Sequence, residues 1–292
     1  MQVTPAPQTV AVEETIRVKT VWTRLLHSKP AIIGLVIIAA ILIFVLIGPY
    51  VWPYTAFQVS GPANSPPSFS HPFGTDYQGH DLMSQVIYGA YPTLLVGLVS
   101  SVCATMIGFV AALYGGYFER VRNFVSLATD IVLSFPSIAM LIVIGSLFLP
   151  SDPVIAGGLI VLLWATCSRA ILPQVASLKR MPYVEAAKTS GMSNRKIQWR
   201  IIAPAVAPIA MAYFILITSV GIIIATSVSF LGLGNFTVIS WGTIFFYAQE
   251  YAFYLGDWWW VIAPGLMLAL TASAFALVGF SVEEIMNPRL RK

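Results

Sequence analysis

The chain contains 292 residues, of which 58% are hydrophobic and only 10% are charged, and its formal net charge is +4. Soluble domains carry about 25% charged residues, so this composition excludes a soluble globular protein and indicates a polytopic membrane protein. Cys103 and Cys167 lie in apolar runs and give no indication of a disulfide framework, and the sequence lacks a phosphate-binding loop, a Ser/His/Asp set and a metal-spaced cluster.

Six apolar runs predict six membrane-spanning helices, since about 20 apolar residues cross a hydrocarbon layer of about 30 Å. The predicted spans are residues 31–51, 93–114, 124–149, 154–172, 205–231 and 259–280. We expect the third span to be kinked near Pro136. The predicted fold class is therefore an all-α polytopic membrane protein with six transmembrane helices. Because the number of spans is even, both termini lie on one side of the membrane.

Polar segments divide the chain into an N-terminal segment, residues 1–30, and one transmembrane domain, residues 31–292. The first has no signal-peptide cleavage site, and a short amphipathic helix is expected within it. The predicted connections are an outer loop at 52–90, a tight turn at 119–122, a polar loop at 173–204, a second outer connection at 232–258, and an amphipathic tail at 281–292.

The basic residues predict the orientation of the chain. All 16 Lys and Arg lie before the first span, at 120–122, between Arg169 and Arg200, or in the C-terminal tail. The other connections hold acidic residues instead, namely Asp76, Asp81, Asp152, Glu250 and Asp257. Because cytoplasmic segments are enriched in Lys and Arg, we expect both termini and the loop at 173–204 to be cytoplasmic, in a multi-pass protein of the plasma or inner membrane.

The longest charged stretch between apolar runs is residues 183–204. Pro182 stands where a helix would begin, and Gly191 can end that helix in a left-handed conformation. Ser193 or Asn194 can then cap a second helix. The stretch predicts a helix–turn–helix whose first short helix is available to a partner.

The same stretch carries a pattern that resembles the cytoplasmic coupling loop of ABC-importer permeases. Its elements are Glu185-Ala186-Ala187, Gly191 and Ile201-Ile202-Ala203-Pro204, with Ala203 replacing the usual Leu. Further stretches resemble the second, C-type permease of oligopeptide and dipeptide ABC importers. These are His71–Asp81, Ile87–Ala90, Asp130–Pro136, Ser229–Gly234, Ser240–Gly242 and Asn287–Leu290. The resemblance covers about residues 20–292 and implies the type I ABC-importer permease fold.

This resemblance implies a non-enzymatic permease subunit that couples ATP hydrolysis on partner subunits to uptake of oligopeptides or dipeptides. The implied partners are a second, similar permease forming a heterodimer, two cytoplasmic nucleotide-binding ATPase subunits, an extracytoplasmic substrate-binding protein and the lipid bilayer. No nucleic acid partner is expected. The chain itself is expected to bind no cofactor, because ATP and Mg belong to the ATPase subunits, and it should have neither catalytic residues nor a metal site.

The resemblance also implies which residues couple the chain to the ATPase subunits: Tyr183, Glu185, Ala186, Ala187, Gly191 and Met192. We expect Glu185 to accept hydrogen bonds from such a subunit, the alternative being a solvated helix carboxylate. Tyr183 and Met192 either fill a groove in the partner or pack towards the membrane.

Polar residues inside the spans have two interpretations each. For Asp130, an ion pair with Arg122 or Arg169, or a helix cap, is favoured over a proton relay. Hydroxyl residues of the fifth span serve helix packing or line the translocation path; they are Thr218, Ser219, Thr226, Ser227 and Ser229. In the outer loop, Asp76 and Asp81 suit a turn followed by a capped interfacial helix. The alternative is contact with a binding protein or partner permease, and the two residues supply too few oxygens for a cation site.

Three departures from the peptide branch leave the cargo open: His80 where Arg is usual, Thr226 and Ser227 where an acidic residue is common nearby, and Leu172 where a second Arg is usual. An importer of oligosaccharides with the same architecture is therefore the alternative. A secondary transporter is less favoured because no inverted repeat is evident. A membrane-embedded enzyme would need convergent catalytic groups, which the spans lack.

Overall fold

The computed structural model of this chain describes residues 25–252 and 256–286. Ten α-helices are formed in this part of the chain: α1 Lys29–Val51, α2 Leu82–Tyr117, α3 Glu119–Ser134, α4 Ser137–Leu147, α5 Asp152–Leu178, α6 Pro182–Thr189, α7 Asn194–Ile197, α8 Ala203–Val228, α9 Trp241–Tyr247 and α10 Trp259–Met286. The same residues form no β-strand, only two isolated bridges in the outer loop. The predicted all-α class is confirmed.

Five helical segments are long and apolar enough to cross a membrane, and α3 with α4 meets the same test as a bent pair. Counting that pair as one span gives the predicted number of six. The other five predicted spans each fall within one of the long segments.

The third predicted span is broken rather than kinked. Its halves, α3 and α4, meet at an angle of 87°, and the two residues between them, Phe135 and Pro136, have extended backbones. A residue that precedes proline is pushed away from helical angles, so the helix ends at Ser134. After the break, the direction of α4 is set by packing against α5 and α8.

Several predicted connections are shorter than expected. The outer loop ends at Asp81 rather than at residue 90, because the first turns of α2 are covered by the loop itself and their polar side chains do not interrupt the helix. The predicted turn at 119–122 is the first turn of α3. The polar loop begins after Leu178 rather than at 173, since α5 continues through Pro173.

The fifth span is the end of a continuous helical segment of 40 residues, Asn194–Leu233. This segment contains α7 and α8, and a π-helical turn follows each of the two helices, at Gln198–Ile202 and Ser229–Leu233. Within the second turn, Gly232 has a φ of 89° and ends the helical path. The polar loop therefore passes into the membrane helix without an intervening coil.

The buried core lies mainly between α2, α5 and α8. Helix α2 packs along α5 at close range because glycines replace side chains there: a Cβ on Gly108 would lie 2.8 Å from the Cβ of Cys167. A second cluster joins α1, α2, α9 and α10. Helix α1 is peripheral and packs on α10 through Gly34.

Two predicted surface segments lie mainly outside the described residues. The expected amphipathic helix at 21–27 is described only from Leu25 onward. The tail at 281–292 is described up to Met286, where its first residues continue α10.

Candidate functional site

The helix α6 stands on the surface and is held by one buried side chain. Pro182 occupies its first turn, where the missing N–H is not needed. Val184 is 3% exposed and joins the main core. The side chains of Tyr183, Glu185 and Ala186 are exposed. This arrangement presents one face of α6 outward while fixing its position against the membrane helices.

Gly191 ends α6 in the left-handed conformation, as predicted, with a φ of 82°. The N–H of Gly191 donates to Lys188 O at 3.1 Å, and the N–H of Met192 donates to Ala187 O at 3.1 Å. These two bonds satisfy carbonyls at the end of α6 in the Schellman arrangement. No heavy atom would lie within 4 Å of a Cβ at Gly191, so only the backbone angle demands glycine here.

The predicted coupling residues separate into two groups. Tyr183, Glu185 and Ala186 are exposed and form one patch on α6, followed by the exposed Gly191. Ala187 and Met192 are half-buried and pack against the chain's own core. Met192 therefore packs inward, an arrangement that neither alternative described.

A contact that sequence reasoning missed ties this segment to the membrane helices. Tyr117, the last residue of α2, is 4% exposed and donates its hydroxyl to Asn194 Oδ1 at 2.7 Å. The Nζ of Lys179 lies 5.3 Å from the centre of the Tyr117 ring. Ser193 occupies the N-cap position of α7 but makes no side-chain capping bond. The single sequence signal for Tyr117 was its place at the end of a span.

The structure brings Asp130 and Arg169 together. Asp130 Oδ1 on α3 lies 3.5 Å from Arg169 Nη2 on α5, and their side chains are 60% and 62% exposed. The other predicted partner, Arg122, instead donates to Gly116 O at 3.3 Å. Both side chains point away from the chain. Water screens the pair where this face is open, and the pair is buried where a partner covers the face.

Four of the five hydroxyl residues considered for the translocation path are buried within this chain, namely Thr218, Ser219, Thr226 and Ser229. Thr218 donates to Phe214 O, one turn earlier in α8. Ser219 donates to Ala272 O at 2.7 Å and joins α8 to α10. Thr226 is 4% exposed, and its Oγ1 has no hydrogen-bond partner among the described residues. Ser227 is half-buried. Helix packing, the alternative interpretation, accounts for Ser219.

In the outer loop, Asp81 is the N-cap of α2 and has no exposed surface. Its Oδ2 accepts from the Ser84 N–H and from Trp52 Nε1, both at 2.7 Å. Its Oδ1 lies 2.8 Å from His71 Nδ1. One carboxylate thus joins the end of α1, the loop and the start of α2. Asp81 is a cap, as expected, but the helix that it caps is the membrane-spanning α2 and not a separate interfacial helix.

Asp76 organises the turn before that cap. Its Oδ1 accepts from the N–H groups of Gln78 and His80 at 2.8 and 2.9 Å. Its Oδ2 accepts from Gln85 Nε2 at 2.6 Å and lies 2.8 Å from His80 Nδ1. His80, one of the departures from the peptide branch, is therefore committed to an internal contact with Asp76.

Aromatic rings fix the outer loop to the second outer connection. Tyr77 stacks on Tyr251 with ring centres 4.1 Å apart, and Trp260 lies 6.0 Å away on the same cluster. Burial, followed by the nearby Tyr251 and Tyr247, raises the pKa of Tyr77. Tyr77 therefore stays neutral and packs against these rings.

The described residues contain no group of three His, Cys, Asp or Glu side chains that could hold a metal ion. The surface of the described residues presents an anchored, exposed short helix, α6, and a hydrogen-bonded outer loop.

Two family models together match most of the chain. Residues 104–292 match the family model described as the inner membrane component of binding-protein-dependent transport systems. Residues 17–67 match the model of the N-terminal transmembrane domain of oligopeptide transport permease C.

Individual relatives are similar over almost the full length. The dipeptide transport system permease protein of Bacillus subtilis is 29% identical over 276 residues, covering 93% of this chain and 85% of the relative. The probable D,D-dipeptide transport system permease protein of Escherichia coli is 30% identical over 278 residues, covering 93% and 91%. The oligopeptide transport system permease protein of Haemophilus influenzae is 28% identical over 273 residues, covering 92% and 87%.

Proposed function

This chain belongs to the family of inner membrane components of binding-protein-dependent transport systems, and on that premise we propose that it is the permease subunit of an ATP-driven peptide importer. The family consists of multi-pass transport components rather than enzymes. The proposal assigns ATP and Mg to partner ATPase subunits and assigns movement of the membrane helices to this chain.

The observation that carries the proposal is the exposed patch of Tyr183, Glu185 and Ala186 on α6, a helix anchored by the buried Val184. An ATPase subunit docked on this patch would push or pull α6 as it closes on ATP. Because α6 follows α5 directly and is linked to α7 through the Gly191 turn, its displacement reaches two membrane-spanning segments. Glu185 would accept charge-assisted hydrogen bonds across this contact.

We assign the second permease to the outward face of α3 and α4. Large apolar side chains there are exposed in the single chain, including Phe124, Leu127 and Phe135. Asp130 of α3 and its partner Arg169 of α5 are exposed as well. Charged groups are costly against lipid, so a protein partner explains their position better than acyl chains do. The heterodimeric arrangement, with the pathway between two non-identical permeases, remains part of this proposal.

For the cargo, we propose oligopeptides or dipeptides. The relatives described above are named for dipeptide or oligopeptide transport. The oligosaccharide alternative depended on His80 and on the neutral Thr226 and Ser227. His80 contacts Asp76 and Thr226 is buried, so these two departures need not alter a surface that a solute meets.

The test is peptide-stimulated ATP hydrolysis by the complete complex in liposomes, with its binding protein present. Glu185→Arg should lower the stimulated rate at least about tenfold, because losing one partner of a hydrogen-bonded charge contact costs about 2–5 kcal/mol. The control is Glu284→Arg, the same charge reversal at an exposed residue of α10, which should leave the rate unchanged.

An assembled Glu185→Arg complex that hydrolyses ATP at the wild-type rate would contradict the coupling role. Stimulation by oligosaccharides but not by peptides would contradict the cargo while leaving the permease function intact. Failure of any ATPase subunit to co-purify with the chain would contradict the function itself.

A further inference from the structure

A charged cavity of about 220 Å³ lies beneath α6, between the ends of α2 and α5 and the start of α3. Four basic side chains line it: Arg122, Lys179, Arg180 and Lys188. Two carboxylates, Glu119 and Glu185, are also at its wall. The cavity therefore carries an excess of positive charge, and it is distinct from the outward patch that we assigned to the ATPase subunit, sharing only Glu185 with it.

The basic groups of this cavity are not neutralised by the chain itself. Within residues 25–252 and 256–286, the ion pairs closer than 4.0 Å involve His71, His80 and Arg169 as cations. Neither Glu119 nor Glu185 takes part in one. Lys179 instead lies over the ring of Tyr117. Four cations against two carboxylates leave an excess of positive charge, so the cavity favours an anionic occupant.

Arg122 adds a second, independent observation. Its Nη2 donates to Gly116 O, which holds the guanidinium at the cavity wall. Its Nε is buried and has no hydrogen-bond partner among the described residues. Because this Nε has almost no accessible surface, it is closed to the cavity, and Arg122 acts on an occupant through its positive charge rather than through this donor. Guanidinium groups suit phosphate oxygens in geometry as well as charge.

The position of the cavity indicates which anion reaches it. It is bounded by the last residues of two membrane-spanning helices, Tyr117 of α2 and the region just after Leu178 of α5. Lipid headgroups lie at the depth where spanning helices end. Basic pockets between helix ends on the cytoplasmic side are typical sites for the headgroups of anionic lipids.

We propose that this cavity binds a phosphate group, and that its occupant in the membrane is the headgroup of an anionic phospholipid. The headgroup oxygens accept from Arg122, Lys179 and Arg180, and the acyl chains lie along α2 and α5. The site would support α6 from below, so lipid composition would influence the segment that contacts the ATPase. The binding itself does not depend on the coupling role of Glu185.

The test uses the full-length chain purified in detergent and stripped of lipid. Phosphatidylglycerol is added, and the lipid retained per chain is measured by native mass spectrometry. The double variant Lys179→Gln/Arg180→Gln should bind at least about tenfold more weakly, since each basic residue near an anionic headgroup strengthens binding about fivefold. Phosphatidylcholine, which has no net charge, should not be retained by either protein.

Two further variants separate the site from general effects. Arg195→Gln/Lys196→Gln removes the same charge from exposed residues of α7 outside the cavity and should retain the lipid. Lys179→Arg/Arg180→Lys keeps the charge and should also retain it, which distinguishes lost binding from lost folding.

Equal retention by the wild-type chain and the Lys179→Gln/Arg180→Gln variant would overturn the proposal. A further measurement adds inorganic phosphate to the wild-type chain, with and without phosphatidylglycerol. Displacement of phosphatidylglycerol by millimolar phosphate would uphold the anion site but overturn the lipid as its occupant; retention of the lipid under those conditions would support it.

Discussion

The carboxylate of Asp81 joins three parts of the outer loop and has no contact with solvent. Asp81→Asn removes the charge and leaves a single acceptor oxygen for three neighbouring groups. We expect the free energy of unfolding to fall by about 2–3 kcal/mol, the range for a lost cap combined with a lost charge-assisted hydrogen bond. Denaturant unfolding of the purified chain, followed by tryptophan fluorescence, measures this change.

Glu250 provides the matched control for that experiment. It is an acidic residue of the second outer connection, and its side chain is exposed. Glu250→Gln should alter stability by no more than about 0.5 kcal/mol. Equal destabilisation by both variants would contradict the structural role assigned to Asp81 and would point to a general effect of outer-side charge.

Gly191 offers a second prediction at the level of a single residue. Its φ of 82° is accessible to glycine and asparagine but strained for a β-branched residue, and no neighbour restricts the side chain. Gly191→Val should cost about 1–2 kcal/mol, whereas Gly191→Asn should cost much less. Hydrogen exchange at the Met192 amide, which donates to Ala187 O, reports the opening of this turn directly. Identical exchange in the two variants would contradict the backbone argument.

Among the helices, the contact of α2 with α5 depends most clearly on small residues. A Cβ on Gly108 would meet the Trp164 carbonyl and lie 2.8 Å from the Cβ of Cys167. Neither group can move far, because both belong to the facing helix. Gly108→Ala should therefore destabilise the chain by about 1–3 kcal/mol, as overpacking does in other tightly packed interiors.

Gly157 on α5 is the control for the same substitution. A Cβ there would have no heavy atom within 4 Å. Gly157→Ala should be neutral or stabilising by up to about 1 kcal/mol, because alanine favours a helix more than glycine does. Thermal unfolding of the two variants in one detergent gives the comparison, and a larger loss for Gly157→Ala would contradict the packing described for α2 and α5.

The elements differ in how far the sequence determines them. Gly191 acts through local backbone chemistry, and its left-handed conformation was predicted correctly from its neighbours. The cap near Asp81 was also expected, but on an interfacial helix rather than on the membrane-spanning α2. The break at Pro136 was predicted as a kink, since proline specifies an interruption but not the 87° direction of the helix that follows. That direction depends on packing against α5 and α8, which are distant in sequence.

The same distinction explains the errors at helix ends. Helix α2 begins at Leu82, although its first turns contain Ser84 and Gln85, because the outer loop covers them in place of lipid. Hydropathy alone does not distinguish a polar residue that a loop covers from one that faces water. Tyr117 was missed for a related reason: its partner Asn194 is 77 residues away.

For the whole molecule, the Lys and Arg distribution predicts an orientation that thiol labelling in intact cells can measure. Ser70 in the outer loop and Ser193 in the turn before α7 are both exposed. A membrane-impermeant maleimide should label Ser70→Cys in intact cells, and Ser193→Cys only after the cells are permeabilised. The unsubstituted chain, with Cys103 half-buried and Cys167 buried, gives the background. Labelling of Ser193→Cys from outside would reverse the topology.

The two π-helical turns that flank α8 have a consequence for how the length of this chain can vary. A π-helical turn closes its hydrogen bond over one residue more than an α-helical turn, so it already stores an extra residue without ending the helix. A residue added within Ala203–Val228 would rotate everything beyond it by about 100°, turning Ser219 away from Ala272. A residue added or removed at Gln198–Ile202 or Ser229–Leu233 would change only the local winding. Single-residue length differences between relatives should therefore collect at these two turns, leaving the angular phase of α8 unchanged through evolution.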